Sequence, residues 1–385
     1  MKRLSVWVLA TALATGALAQ APQPPEVAAK SYLLVDLSSN QTLAERDADA
    51  PADPASLTKL MTAYVVFAAL RDKKISEDQT LPVSLRAWAE RKGGGSLMFI
   101  EPRNTPKVSD LMRGMIVNSG NDASVALAEG VGGSLPAFIE MMNRQAQAFG
   151  LKNTVFKNVT GLTEPGHHST ARDIAVVASH IIQDFPEFYP IYSTRKYRYE
   201  GAPASNENNR NVLLLRDPTV DGMKTGYTEA AGYCLVASAL RDFPNGKRRL
   251  LSVVLNTTSM EARATESQKL LNWGFTAFDA LRLFEGGKPI ATPQVWKGKV
   301  NEAKLGAASG VFVTVPKGEG PKLQTKIERS DPLVAPLEKG QRVGTLKVTT
   351  AAGQAVAEVP LVVLEAVEQA GIFGRAWDAI RLWIK

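Results

Sequence analysis

Cysteine is almost absent from this chain: Cys234 is the only one in 385 residues. An intramolecular disulfide is excluded, so the fold must rest on its core alone. Cys234 sits in the apolar run Gly232-Tyr233-Cys234-Leu235-Val236-Ala237 and reads as a buried small hydrophobe. Histidine is nearly as scarce, with only His167, His168 and His180. Glu164 stands close to His167, but Pro165 and Gly166 between them mark a turn rather than a ligand-bearing helix. No metal and no other cofactor is expected. Long basic blocks interleaved with aromatics are also lacking, although the net charge is +7 and the pI about 9.3. Nucleic acid is therefore a poor partner, and an anionic surface fits the spread charge better, either cell-wall polymer or membrane headgroups. The apolar run Leu4 to Leu18 is short and rich in small residues. It follows Lys2 and Arg3 and ends in Ala17-Leu18-Ala19, which reads as a signal peptide over residues 1–19 rather than a membrane anchor. The mature protein is expected to work outside the cytoplasm, on the periplasmic face of the membrane.

What is present is ordinary globular composition, 45% hydrophobic and 22% charged, in a chain long enough for two domains. One stretch organises the rest: Asp53-Pro54-Ala55-Ser56-Leu57-Thr58-Lys59-Leu60-Met61-Thr62. Asp53 can cap a helix and Pro54 suits its first position. From Ser56 to Leu70 the only charged residue is Lys59, and a helix apolar all round belongs inside a domain. Ser56 and Lys59 share a face at this spacing. An ammonium in apolar surroundings loses solvation and its pKa falls. A neutral amine one turn from a hydroxyl can take its proton and make serine a nucleophile. Spacing alone is a weak signal, because Ser193-Thr194-Arg195-Lys196 repeats it in a polar, aromatic stretch with no expected chemistry.

In chain order, a Pro-rich spacer from Ala21 to Pro25 precedes a strand over Ser31 to Asp36. A turn at Ser38-Ser39-Asn40 can return Thr42-Leu43-Ala44 as a hairpin arm. After the Ser56 helix, Gly93-Gly94-Gly95-Ser96 reads as a loop. Helix patterns cover Ser109 to Val117, Asn121 to Glu129 and Leu135 to Phe149. Strands are expected over Tyr233 to Leu240 and Arg249 to Leu255, joined by the turn Pro244-Asn245-Gly246, and a helix over Glu266 to Phe278. Strands at both ends and helices between imply an α+β domain, an antiparallel sheet with a helical cluster, over residues 26–285. Gly286-Gly287-Lys288-Pro289 looks like a linker. Strand-like runs over Gln294 to Val300, Val311 to Val315, Leu323 to Ile327, Val343 to Val348 and Ala355 to Val363 then imply a small all-β domain, residues 286–364.

The last stretch, residues 365–385, returns to helix. Phe373, Trp377, Ile380 and Ile384 fall on one face. Arg375, Asp378 and Lys385 fall on the other, with Leu382 an exception. It is too short and too charged to span a bilayer, and is expected to lie in the membrane surface. Docking on the protein's own core is the alternative.

Two further motifs follow the Ser56 helix: Ser119-Gly120-Asn121 and Lys224-Thr225-Gly226. Either alone could be an ordinary turn or strand entry. In this order they match the S-x-x-K, S-x-N and K-T-G set of serine acyl-transferases. With them the chain resembles the low-molecular-mass penicillin-binding proteins that are D-alanyl-D-alanine carboxypeptidases, of the beta-lactamase/transpeptidase-like fold. The resemblance extends through Ser96-Leu97-Met98-Phe99, Asn121-Asp122-Ala123, Ser169-Thr170-Ala171-Arg172-Asp173 and Asp221-Gly222-Met223. It continues through Tyr227-Thr228, Ala231-Gly232-Tyr233, Glu266-Ser267 and Asn272-Trp273-Gly274-Phe275. The β-module and the terminal helix also look like the family's.

The resemblance implies roles. Ser56 attacks the penultimate D-alanine carbonyl of a peptidoglycan pentapeptide, and Lys59 is its base. Ser119 and Lys224 handle protons around the leaving amine, and Asn121 orients the substrate amide. Thr225 and Arg263 bind the terminal carboxylate, with the oxyanion between the N–H groups of Ser56 and Tyr227 and with Gly226 beside them. Tyr227 stands where the family often has His. Beta-lactam antibiotics would acylate Ser56. Asp173 and Arg210 resemble an ion pair near the site; a helix cap after Ser169-Thr170 is the other reading of Asp173. Alternatives to carboxypeptidase activity are a DD-endopeptidase cutting cross-links with the same site and a non-catalytic wall-binding protein. A beta-lactamase is disfavoured because no Glu stands in a clear deacylating motif.

Overall fold

The computed structural model describes residues 22–243 and 246–384. The expected signal peptide, the Pro244-Asn245 part of the expected turn and Lys385 lie outside them. Five strands form one antiparallel sheet: β1 (Ser31–Asp36), β2 (Gln41–Arg46), β3 (Val220–Thr228), β4 (Gly232–Phe243) and β5 (Gly246–Thr257). Their order is β2-β1-β5-β4-β3, so chain segments from both ends of the domain meet at the β1–β5 pair. Alternation sorts the side chains onto two faces. Leu33, Val236, Leu251, Val253 and Leu255 face one core, and Leu34, Leu235, Ala237, Leu250 and Val254 face another.

The first core is covered by helices α1 (Lys59–Arg71), α2 (Leu85–Ala89), α3 (Val108–Val117), α4 (Asn121–Gly132), α5 (Leu135–Ala148) and α6 (Ala171–Asp184). Helix α1 is buried on nearly all sides, as its composition requires. A single turn, α7 (Leu213–Arg216), precedes β3, and α8 (Met260–Ala277) covers the second core. The expected elements recur, one with a shifted start, and α2, α6 and α7 lie outside the expected helices. Helix α8 begins at Met260, six residues before Glu266, because Ser259 caps it by accepting from Ala262 N–H. Helix α6 begins where Thr170 caps it, accepting from Asp173 N–H.

The second module consists of β6 (Phe278–Phe284), β7 (Val295–Trp296), β8 (Leu305–Gly306), β9 (Val311–Pro316), β10 (Gln324–Arg329), β11 (Leu333–Val334), β12 (Arg342–Thr349) and β13 (Ala355–Val363). Strand β6 pairs with β9, so the expected linker at Gly286 is a turn within this module rather than a boundary before its first strand. The helical segment is also shorter than 365–385. Helix α9 spans Ile372–Ile384, and Val367 before it is buried in the module's core and bridged to Leu337.

The two units meet at a buried polar knot. Asp36 at the end of β1 accepts from Arg248 Nε at 2.7 Å and from Thr314 Oγ1 of β9 at 2.7 Å. Gln41 holds the Thr314 backbone from both sides, at 2.6 Å to its N–H and 3.2 Å to its carbonyl.

Candidate active site

Ser56 lies on a 3-10 turn, Ala55–Thr58, that runs directly into α1. Three residues make one turn of such a helix, so positions i and i+3 eclipse and Ser56 stands over Lys59. Lys59 Nζ is 3.0 Å from Ser56 Oγ. Asp53 does not cap this turn, contrary to expectation. Pro54 occupies the cap position with no side-chain bond, and the turn closes through Leu57 N–H on the Pro54 carbonyl. Ala55 is held at φ 46° and Ser119 at φ 60°. Left-handed backbone at a non-glycine residue costs roughly 1–3 kcal/mol and persists only where its surroundings enforce it.

Lys59 is 1% exposed. Its Nζ donates to Asn121 Oδ1 at 2.8 Å and to the Thr160 carbonyl at 2.7 Å. Burial pushes its pKa from 10.5 down to about 7, with Arg210 adding to the fall and Glu90 and Asp122 opposing it. Lys224 on β3 is likewise buried, and desolvation holds it well below the ordinary lysine range. Its Nζ donates to Ser119 Oγ at 2.9 Å and to the Thr225 carbonyl at 3.0 Å. Ser119 and Asn121 flank the start of α4, and Asp122 beside them accepts from the N–H groups of Met98, Phe99, Ile100 and Ala123.

These groups open onto one cleft of about 610 Å³. Ser56, Ser119, Asn121, Thr225, Gly226, Tyr227 and Arg263 line it, while Lys59 and Lys224 stand directly behind, bonded to Ser56 and Ser119. Every expected site residue is therefore gathered here. A Cβ on Gly226 would meet Ala55 Cβ at 3.1 Å and the Pro54 carbonyl at 3.2 Å, so the strand presses against the Ser56 turn. Arg263 from α8 is 4% exposed, donates to the Gly226 carbonyl at 3.1 Å and lies against the Tyr233 ring. Tyr227 stacks on Tyr233 and keeps 51% of its surface exposed at the cleft mouth.

The Asp173–Arg210 ion pair does not form. Asp173 accepts from Asn153 N–H and Thr154 Oγ1 at the start of α6, and Arg210 lines the cleft instead. Asp173 is not the helix cap either: it lies in the first turn of α6, and Thr170 caps the helix by accepting from Asp173 N–H. Sequence reasoning also missed the loop from Lys157 to Leu162. A Cβ on Gly161 would stand 1.7 Å from the Ala55 carbonyl, so this glycine is what lets the loop lie on the Ser56 turn. The second Ser-x-x-Lys copy is inert by geometry: Ser193 Oγ donates to the Pro190 carbonyl and Lys196 pairs with Glu207.

Among the described residues no group of three or more His, Cys, Asp or Glu side chains is gathered to hold a metal ion. The arrangement is suited to acyl transfer, with a hydroxyl, an adjacent amine of lowered pKa, a second hydroxyl–amine pair and a buried guanidinium around one cleft.

Comparison with known proteins agrees with this chemistry. The profile of a family described as D-alanyl-D-alanine carboxypeptidase matches residues 18–259, and that of the penicillin-binding protein 5 C-terminal domain matches residues 278–369. The D-alanyl-D-alanine carboxypeptidase DacA of Haemophilus influenzae is 43% identical over 365 residues, covering 94% of this chain and 91% of that protein. DacC of Escherichia coli is 42% identical over 367 residues, covering 94% and 90%. The crystal structure of penicillin-binding protein 5 from Haemophilus influenzae superposes with a TM-score of 0.85 at 42% identity, covering 90% of this chain and 100% of that one. With one profile spanning more than half of the chain and such relatives along nearly all of it, the protein belongs to the D-alanyl-D-alanine carboxypeptidase family of penicillin-binding proteins.

Proposed function

We propose that this serine-type D-alanyl-D-alanine carboxypeptidase removes the terminal D-alanine from peptidoglycan stem peptides through an acyl-enzyme on Ser56. The observation that supports this reading is the convergence of three hydroxyl–amine or amide pairs on one cleft: Ser56 with Lys59, Ser119 with Lys224, and Asn121 with Lys59. A neutral amine has two N–H bonds and one lone pair. Asn121 Oδ1 and the Thr160 carbonyl take the two N–H bonds of Lys59, which leaves the lone pair for Ser56. Lys59 accepts the Ser56 proton as Oγ bonds to the carbonyl carbon of the penultimate D-alanine. The oxyanion sits between the N–H groups of Ser56 and Tyr227. The C–N bond breaks as the leaving amine receives a proton through Ser119 and Lys224. Water then attacks the ester, and Ser56 recovers its proton.

Thr225 and Arg263 receive the substrate's terminal carboxylate, where a guanidinium offers two parallel donors. A beta-lactam carries the same carboxylate and a strained amide, so it acylates Ser56 and leaves slowly. Glu164 supplies no deacylating base, because its carboxylate is exposed and accepts from Asn158.

The protein acts outside the cytoplasm, held on the membrane surface by α9. Asp378 accepts from Lys297 N–H, and Arg381 lies over Trp296, so the polar face of α9 is turned to the β-module. Phe373, Trp377 and Trp383 are left 92%, 64% and 89% exposed. A helix docked on a globular core has the opposite arrangement.

Labelling with a fluorescent penicillin tests the site. Wild type should label and Ser56→Ala should not; an unlabelled wild type would leave the wall-binding reading. Release of D-alanine from a pentapeptide, against cleavage of purified cross-linked muropeptides, separates carboxypeptidase from endopeptidase. A preference for the cross-linked substrate would overturn the assignment.

A further inference from the structure

Behind the nucleophile turn a buried histidine holds two pieces of the site together. His167 is 4% exposed. Its Nδ1 accepts from Lys157 N–H at 3.0 Å, so the single proton of the neutral ring belongs on Nε2. Nε2 stands 2.8 Å from Thr58 Oγ1 and donates to it. Thr58 lies between Ser56 and Lys59 on the 3-10 turn. Lys157 begins the loop whose Thr160 carbonyl accepts from Lys59 Nζ. The same loop is fastened to α1 by Thr62 Oγ1, which donates to the Val159 carbonyl at 2.9 Å. One ring therefore ties the turn that carries Ser56 to the backbone that orients Lys59.

We propose that His167 is a positioning residue for acylation, whose neutral Nε2–H tautomer fixes the Thr160 carbonyl against Lys59 and so aims the Lys59 lone pair at Ser56. The inference rests on Lys59 being the base. His167 touches no substrate and exchanges no proton in the reaction. Asp53, Glu164 and His168 are the titratable groups that face it. Burial nevertheless holds its pKa down to about 4, so the ring stays neutral across the working range. Lys59 is faced by Glu90, Asp122, Arg210 and Lys224. When the loop is loosened, water reaches Lys59 and its pKa returns toward the ordinary lysine value.

The test is the rate of acylation by a fluorescent penicillin from pH 5 to 9, on the full mature chain, for wild type, His167→Leu, His167→Gln, Thr58→Val and Lys59→Ala. Leucine fills the ring's space but neither accepts nor donates. His167→Leu should lower the plateau rate roughly 10- to 100-fold, as misplacement of a catalytic group does, and move the acid limb to higher pH. Glutamine can accept from Lys157 N–H and donate to Thr58, so His167→Gln should restore both rate and limb. Thr58→Val removes only the acceptor and should move the limb in the same direction, which keeps the proposal testable if His167→Leu does not fold. A His167→Leu or Thr58→Val protein that melts near wild type and keeps its limb would overturn the proposal. So would a lowered rate with an unmoved limb, or a His167→Gln protein as slow as His167→Leu. Lys59→Ala labelled at the wild-type rate would instead overturn the base assignment itself.

Discussion

The Nζ of Lys59 stands 3.0 Å from Ser56 Oγ and gives its other two contacts to neutral oxygens, Asn121 Oδ1 and the Thr160 carbonyl. Neither contact holds the amine in its charged form as a carboxylate would. With a pKa lowered to about 7, the amine is protonated below that pH and free above it. Acylation of Ser56 should therefore rise with pH through about 7 and level off beyond. Below the limb the rate should fall about tenfold per pH unit, since only the free amine accepts the hydroxyl proton. Lys224 is buried close by and also lowered, so the limb belongs to the pair of amines rather than to one. Penicillin-labelling rates across pH 5–9 measure it, and a flat profile would remove the amine from this role.

In the proposed mechanism Arg263 and Tyr227 contribute by different parts of their structure. The Arg263 guanidinium is buried and, among the described residues, hydrogen-bonds the Gly226 carbonyl alone, which leaves donors for a carboxylate. Arg263→Gln should lower kcat/KM toward a D-Ala-D-Ala peptide by roughly 2–3 kcal/mol, the worth of a charge-assisted contact. The role proposed for Tyr227 rests on its backbone N–H, and its half-exposed ring packs against Tyr233 at the cleft mouth. Tyr227→His should stay within about threefold of wild type. Steady-state release of D-alanine measures both. A large loss at Tyr227→His with an unaffected Arg263→Gln would invert the assignment.

How far the sequence carried depends on whether a role belongs to a side chain or to backbone. The roles proposed for Ser56, Lys59, Ser119, Asn121, Lys224 and Arg263 belong to side chains, and the structure gathers these residues at one cleft. The Thr160 carbonyl acts through backbone, and no residue type announces a carbonyl. Gly161 is one glycine among thirty in the sequence, and what requires it is the Ala55 carbonyl beneath it in the fold. Asp53 has the chemistry of a cap but precedes a turn that closes on Pro54 instead. Asp173 and Arg210 carry opposite charges, yet the nearer donors Asn153 and Thr154 satisfy the carboxylate. At the second module, strand periodicity gave β9, β12 and β13 closely. It missed β6, because Phe278 follows directly on α8 with no turn residue between them.

Asp36 and Arg248 form an ion pair that is 0% and 1% exposed, and Thr314 of the β-module completes it. Removing one partner of such a pair leaves a bare charge in the interior. Asp36→Ala should destabilise the protein by roughly 3–5 kcal/mol, as is usual for an uncompensated buried charge. Thr314→Val removes two hydrogen bonds, to Asp36 and with Ser39 Oγ, and should cost about 1–3 kcal/mol. Urea unfolding followed by tryptophan fluorescence measures both, and an Asp36→Ala midpoint equal to wild type would show the pair to be dispensable. Penicillin labelling of the folded variants should stay near wild type, because the knot lies outside the residues that line the cleft.

Helix α9 offers the protein its polar side and solvent its apolar side. Asp378 and Arg381 face the β-module, while Ile372, Phe373, Trp377, Ile380 and Trp383 are exposed. No single helix among the described residues is long and apolar enough to cross a bilayer, and an exposed apolar face such as that of α9 is the kind that inserts into a membrane surface. In the proposed membrane-bound arrangement apolar insertion would supply most of the affinity, and Arg375 and Arg381 would add an attraction to anionic lipid that salt weakens. Full-length protein should therefore sediment with anionic vesicles and be only partly released by raised salt. Phe373→Glu combined with Trp377→Glu should abolish sedimentation while leaving penicillin labelling in solution unchanged, since neither residue lines the cleft. If the doubly substituted protein still sediments, α9 does not hold the protein on the membrane, and its exposed face belongs to some other contact.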